Sequence, residues 1–135
     1  MKFEYTEPND LILVRMDPGD DILEKLTEAI DVHKIKNALI LNGIGSVSSH
    51  HYHVVSSRVN PPNEIFVKAD APADVISLNG LVLDGRVHAH ITLSNDKTSY
   101  GGHLEPGTVV LTFLVVSLMP FDNDLTHWDR VGNIG

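Results

Sequence analysis

Gly85-Arg86-Val87-His88-Ala89-His90-Ile91-Thr92-Leu93-Ser94, followed by Gly101-Gly102-His103-Leu104, is the stretch on which the reading of this chain turns. From His88 to Ser94 apolar and polar residues alternate, which is the period of a strand. His88, His90, Thr92 and Ser94 therefore share one face, and Val87, Ala89, Ile91 and Leu93 share the other, the core face. Two imidazoles at i and i+2 on a rigid strand can hold one transition metal. A third, His103, is expected to reach them from a short loop whose glycines, Gly101 and Gly102, let the backbone come close. Three neutral imidazoles leave a coordination position open for water or substrate, as in a catalytic zinc site. The competing reading is a pair of histidines that only hydrogen-bond or face solvent. A His-x-His alone does not separate the two, and the adjacent Gly-Gly-His is what favours the metal.

Composition limits the alternatives. The chain has 135 residues, 42% of them hydrophobic, enough for one domain with a sizeable core. It has no cysteine, so any transition-metal site must use histidines and carboxylates. The formal net charge is −8, and the ten basic residues are scattered with no cluster denser than Lys34-Ile35-Lys36. Nucleic-acid affinity comes mainly from Lys and Arg displacing phosphate counterions, so direct DNA binding is disfavoured. Met1 to Pro8 has no apolar segment of the signal-peptide kind, and no apolar run reaches the length of a membrane span. A cytoplasmic protein with no membrane association is expected.

The elements follow from pattern. Leu11 to Met16 reads as a strand, and Asp17-Pro18-Gly19-Asp20 as a turn into a helix from Asp21 to about Lys34. Ile22, Leu23, Leu26, Ala29 and Ile30 have helical spacing, acidic residues stand at the start and Lys34 and Lys36 at the end. His33 reads as a helix-end residue. Ala38 to Val47 and His50 to Val55 form a continuing strand, in which Gly43 and Gly45 signal a bulge or a close backbone approach. His51 and His53 fall on one face there and make a rival metal pair, ranked second because no glycine-flanked third histidine adjoins them. Arg58 to Asn63 is a loop, Glu64 to Ala69 and Val75 to Leu83 are strands, and Asp84-Gly85 is a turn. Asn95 to Thr98 is another turn. Val109 to Leu118 is apolar on both faces and is expected to be a central strand covered on each side. No internal repeat or linker is apparent, so residues 1–135 are read as a single domain. Its core runs from about 11 to 119, with a polar tail over 120–135.

These residues together resemble the PPC domain, the plant-and-prokaryote conserved domain, of the bacterial and archaeal stand-alone type. The resemblance runs from Arg15-Met16-Asp17-Pro18-Gly19-Asp20-Asp21-Ile22-Leu23 through Gly45-Ser46 and Ile76-Ser77-Leu78-Asn79-Gly80. It continues in Gly85 to Ser94 and Gly101-Gly102-His103-Leu104, and ends in the apolar strand to Leu118. The His-x-His and Gly-Gly-His-Leu pair at this separation is its specific part. The resemblance implies an α/β (α+β) fold: a largely antiparallel mixed sheet with one main helix packed on it, related to that of acetolactate decarboxylase. It also implies a homotrimer and carries a divalent-metal triad onto His88, His90 and His103. In plants such domains follow AT-hook segments that bind DNA, and bacterial relatives carry a DNA-binding label. This chain has no Arg-Gly-Arg-Pro-type hook.

Two functions follow. One is a trimeric metal protein, with zinc or another divalent transition metal, acting as an enzyme on a small carbonyl or carboxylate substrate. Glu105, two residues after His103, is then the nearest general acid/base, and Arg58 and Arg86 are the cations available to an anionic substrate. Glu105 can equally be a solvated loop carboxylate beside Pro106. The other function is a non-enzymatic regulatory or DNA-associated interaction module with a protein partner. A structural metal site would be closed by a fourth protein ligand, whereas a catalytic one keeps an open position.

Overall fold

A computed structural model describes residues 4–6 and 10–134. Most of the Met1–Pro8 segment and Gly135 lie outside the described residues. The described elements run β1 (Ile12–Met16), α1 (Ile22–Val32), β2 (Ala38–Val55), β3 (Glu64–Ala69), β4 (Ala73–Leu83), β5 (Arg86–Ser94), β6 (Ser99–Leu104) and β7 (Val109–Pro120). The strands form one sheet of order β1-β7-β2-β4-β5-β6, with β3 on the far half of β2, and the strand pairs are antiparallel. The result is the largely antiparallel sheet and single helix expected. Among the described residues no helix is long and apolar enough to cross a membrane.

Local chemistry explains the elements that carry the site. β4 and β5 form a hairpin whose two-residue loop is Asp84-Gly85, with φ of 52° and 74°. Positive φ at both loop residues is the turn whose twist matches that of the flanking strands. It sets Leu81 opposite His88 and Asn79 opposite His90. α1 begins at Asp21, whose side chain accepts from the Glu24 backbone N–H. Its other oxygen accepts from the Gly107 N–H at 2.7 Å, which ties the helix start to the turn before β7. Ile22, Leu26 and Ile30 bury one helix face against Met16, Leu114, Val116 and the Ala89-Ile91-Leu93 face of β5. The helix ends at His33, as its position predicts.

β2 is a single strand of 18 residues, and its register against β7 shifts at three places. Those irregularities coil it so strongly that its last residues meet the far edge of the sheet, where Tyr52 and His53 pair with Leu104 and His103 of β6. The path β2-β4-β5-β6 thus returns to β2. A Cβ on Gly45 would lie 1.9 Å from the Phe113 carbonyl oxygen, so the glycine reading there as a close approach is correct.

Two expectations are corrected. Ser99–Leu104 is a strand and not a loop. Its glycines serve close approach on both flanks instead of a turn: a Cβ on Gly101 would stand 2.0 Å from the Ile91 oxygen, and one on Gly102 2.4 Å from the His53 oxygen. A strand squeezed between two others needs that space. β7 is central, as expected, but is covered on one face only. Val110, Leu114, Val116 and Leu118 are buried, whereas Leu111 and Phe113 are exposed because the helix lies on the opposite side.

Gly102→Ala places a methyl group against the His53 carbonyl oxygen of β2, a contact that a side-chain rotation cannot relieve. It is expected to cost about 1–3 kcal/mol, the range for overpacking. Urea unfolding followed by circular dichroism checks this, with a lowered midpoint at unchanged slope; an unchanged midpoint means that β2 and β6 are not in contact.

Candidate metal centre

The closure of the sheet creates a row of histidines across three strands. His90 of β5 is the register partner of His103 of β6, and His103 is in turn the partner of His53 of β2. Side chains directly opposite in antiparallel strands lie side by side on one face. His53 and His103 stack with ring centroids 4.2 Å apart. His88, two residues before His90 and on the same face, has its ring 4.8 Å from His103 and 5.6 Å from His90, and His90 is 5.9 Å from His103. The rings of the three histidines singled out from the sequence neighbour one another, and His53 joins them, but of the three only His103 has a ligating atom in a group spaced for one metal ion among the described residues. His51 does not: its Nδ1 donates to the Pro106 carbonyl at 2.7 Å.

Glu105 stands at the end of β6, held by its backbone N–H on the His51 carbonyl. Its Oε1 is 2.5 Å from His53 Nδ1 and 3.3 Å from His103 Nδ1. Ligating atoms of His53, His103 and Glu105 all lie within 4.8 Å of one another, a spacing that a single metal ion can bridge. On the other side of His53, Nε2 is 3.5 Å from Glu64 Oε1.

Two features make the donor set suited to a cation. His103 Nδ1 is buried and has no hydrogen-bond partner despite its nearness to Glu105, an orphaned polar atom aimed into a group of ligands. His90 and His103 are also held toward the neutral form. Loss of hydration lowers the pKa of His103, reinforced by His53 and His88, while Glu105 opposes the shift. Loss of hydration likewise lowers that of His90, with His88 and His53 adding to it. A neutral ring offers a lone pair, and metal binding requires one. The four histidines line a cavity of about 550 Å³ with Val54, Val55, Pro61 and Pro62, and with Val131 of the tail.

The tail also contributes a residue that sequence reading missed. Asp129 accepts two hydrogen bonds of 3.0 Å from the Arg86 guanidinium, and its Oδ2 lies 3.0 Å from His88 Nδ1. Arg86 is therefore engaged within the chain and is not a free anchor for a substrate anion. No periodicity or motif marks Asp129, which follows a run of turns. His53 did carry a signal, the His-x-His face of β2, but not the register that brings it to His103.

The chain is a curled antiparallel sheet with one helix and, where the sheet closes, a histidine-carboxylate group that could hold a metal ion. The Plants and Prokaryotes Conserved (PCC) domain model matches residues 3–122, and the chain belongs to that family. A structure of the metal-containing protein of Archaeoglobus fulgidus superposes with a TM-score of 0.80 at 26% identity, covering 92% of this chain and 88% of that one. The plant- and prokaryote-conserved protein of Pyrococcus horikoshii gives 0.75 at 24% identity, over 92% and 87%. Acetolactate decarboxylase of Bacillus subtilis subspecies spizizenii gives 0.60 at 13% identity, over 90% of this chain and 56% of that one, a likeness of fold. No curated protein matches the chain.

The Arg86 hydrogen bond, with that of His88 behind it, holds the Asp129 carboxyl at about 2. A carboxyl lowered on folding stabilises the protein above its unfolded pKa, near 3.8, and the effect is lost as pH falls toward 2. The half-exposed guanidinium is screened by water, which leaves about 1 kcal/mol. Asp129→Asn is therefore expected to lower stability at pH 7 by about 1 kcal/mol, with the difference shrinking below about pH 4 and vanishing as pH falls through about 2. Denaturant midpoints measured across pH check it; a constant difference down to pH 2 contradicts the ion pair.

Proposed function

We propose that the protein is a cytoplasmic homotrimer that binds one zinc ion per chain and acts on a small carbonyl or carboxylate compound. The observation that carries this reading is the meeting of four imidazoles in one cavity where the sheet closes, with Glu105 against two of them. In it, His88, His90 and His103 hold the ion, and His53 with Glu105 borders it. Imidazoles suit zinc, nickel, copper and iron, and the lack of cysteine removes thiolate alternatives. The name of the Archaeoglobus fulgidus protein, metal-containing, supports the metal but not its identity.

When bound, the ion supplies Lewis-acid polarisation of an oxygen on the substrate. The chain's own residues do the rest. Val54, Val55, Pro61 and Pro62 give the cavity an apolar wall that favours a small organic molecule. Glu105, within reach of two rings, is the group placed to take up or return a proton. Neutral His90 and His103 keep the cavity free of extra positive charge before the ion arrives.

The trimer is supported by the uncovered side of the sheet. Leu13, Ile44 and Phe113, with Leu111 and Ile76, are exposed on β1, β2, β7 and β4. A contiguous apolar patch of this kind marks an interaction surface. Copies of the same chain would give β7 the second cover its sequence calls for.

Isothermal titration of metal-free protein with zinc is expected to give one site per chain. His88→Ala, His90→Ala and His103→Ala each lower affinity at least about 100-fold, and His53→Ala about 10-fold, as for a group around the ligands. His51→Ala leaves affinity unchanged. Loss of binding in His53→Ala and Glu105→Gln, with His88→Ala and His90→Ala unaffected, shifts the ligands to the β2–β6 group. Zinc washed out of the wild type by desalting removes the metal reading. For assembly, sedimentation equilibrium is expected to give three times 14.8 kDa, and Phe113→Asp to give the single mass; a wild type at 14.8 kDa contradicts the trimer.

A further inference from the structure

The family match ends at residue 122, and Asp129 lies beyond it. Yet the Asp129 side chain is only 7% exposed. The tail that carries it is anchored by the chain itself. Phe121 is buried, and its N–H donates to the Asn37 carbonyl. Asp124 accepts from the backbone N–H and hydroxyl of Thr126, and the Thr126 carbonyl accepts from Arg86 Nη2 at 3.2 Å. Arg86 then grips both oxygens of Asp129. Arg86 and His88 stand two apart on β5, so one strand face presents the clamp and the ring it acts on.

The contact with His88 has a defined sense. A carboxylate already holding a guanidinium through both oxygens is an acceptor only. The His88 nitrogen 3.0 Å from Oδ2 must therefore be the one that carries hydrogen. In a neutral imidazole that puts hydrogen on Nδ1 and leaves the lone pair on Nε2. Ligating histidines commonly give their second N–H to a carboxylate, which fixes tautomer and orientation.

We propose that Asp129, clamped by Arg86, is a positioning residue that holds His88 in the Nδ1–H tautomer and so presents Nε2 to the histidine cluster. The C-terminal tail is thereby a working part of the site, with Val131 two residues further on in the cavity lining. Asp129 touches neither ion nor substrate; it acts through His88. This rests on the metal reading above for its purpose, though the tautomer itself does not depend on a metal.

The test uses the whole chain, labelled with nitrogen-15 and freed of metal, at pH 7.5. Long-range proton–nitrogen correlation spectra report which ring nitrogen of His88 bears hydrogen. Wild type is expected to show Nδ1–H. Asp129→Ala is expected to convert His88 to Nε2–H, the form free imidazole side chains favour in water, and to lower zinc affinity 10- to 100-fold. Asp129→Asn keeps an oxygen able to accept, so it restores Nδ1–H and most of the affinity, which a merely structural role would not predict. Asp129→Asn also serves where the alanine variant fails to fold. Nε2–H in wild type, or Nδ1–H persisting in folded Asp129→Ala, overturns the proposal. An Asp129-dependent tautomer in a protein that takes up no zinc upholds it and sinks the metal reading instead.

Discussion

The pairing of β6 with both β5 and β2 is the constraint on which the site depends. His103 has a register partner on each side, His90 and His53, and no other arrangement of the sheet would line up three imidazoles from strands so far apart in the chain. Backbone hydrogen bonds set that alignment to within one residue, because a slip by one would turn every side chain to the opposite face. The cost of placing polar rings together is thus met by the ladder, not by the rings themselves. β6 can be held this way only because Gly101 and Gly102 have no side chains to meet the carbonyls of Ile91 and His53.

The same geometry governs the electrostatics. Four imidazoles lining one cavity cannot all be charged without mutual repulsion among the rings. Loss of hydration and the neighbouring rings lower His90 and His103, while Glu105 supplies the opposing charge. Within this group His103 Nδ1 is buried and has no hydrogen-bond partner. An apolar interior would not keep such a group without a reason, since a buried unsatisfied donor or acceptor costs about 1–3 kcal/mol.

The two sides of the sheet divide the work. α1 covers one side and makes the core, and its Asp21 cap reaches the turn that follows Glu105. The other side keeps Leu13, Ile44 and Phe113 exposed. The polar cluster sits on the face of β5 away from the Ala89-Ile91-Leu93 core, where β6 closes the sheet onto β2, and there the tail is laid across it by Arg86 and Asp129.

Much was legible in the sequence because it rests on local rules. The alternation from His88 to Ser94 set the shared face of His88 and His90, helical spacing and Asp21 set α1, and Asp84-Gly85 set the hairpin turn. Gly101-Gly102 announced a close approach, though local reading took it for a loop, since a glycine pair looks alike in a turn and in a strand pressed between two others. What only the tertiary structure decided is which distant residues complete the cluster. His53 and His103 are fifty residues apart, and they meet through the bulges that coil β2. Asp129 reaches His88 from a tail with no periodicity to read. A strand's period tells which way a side chain points, but not what stands opposite; that depends on register and twist summed over the whole sheet.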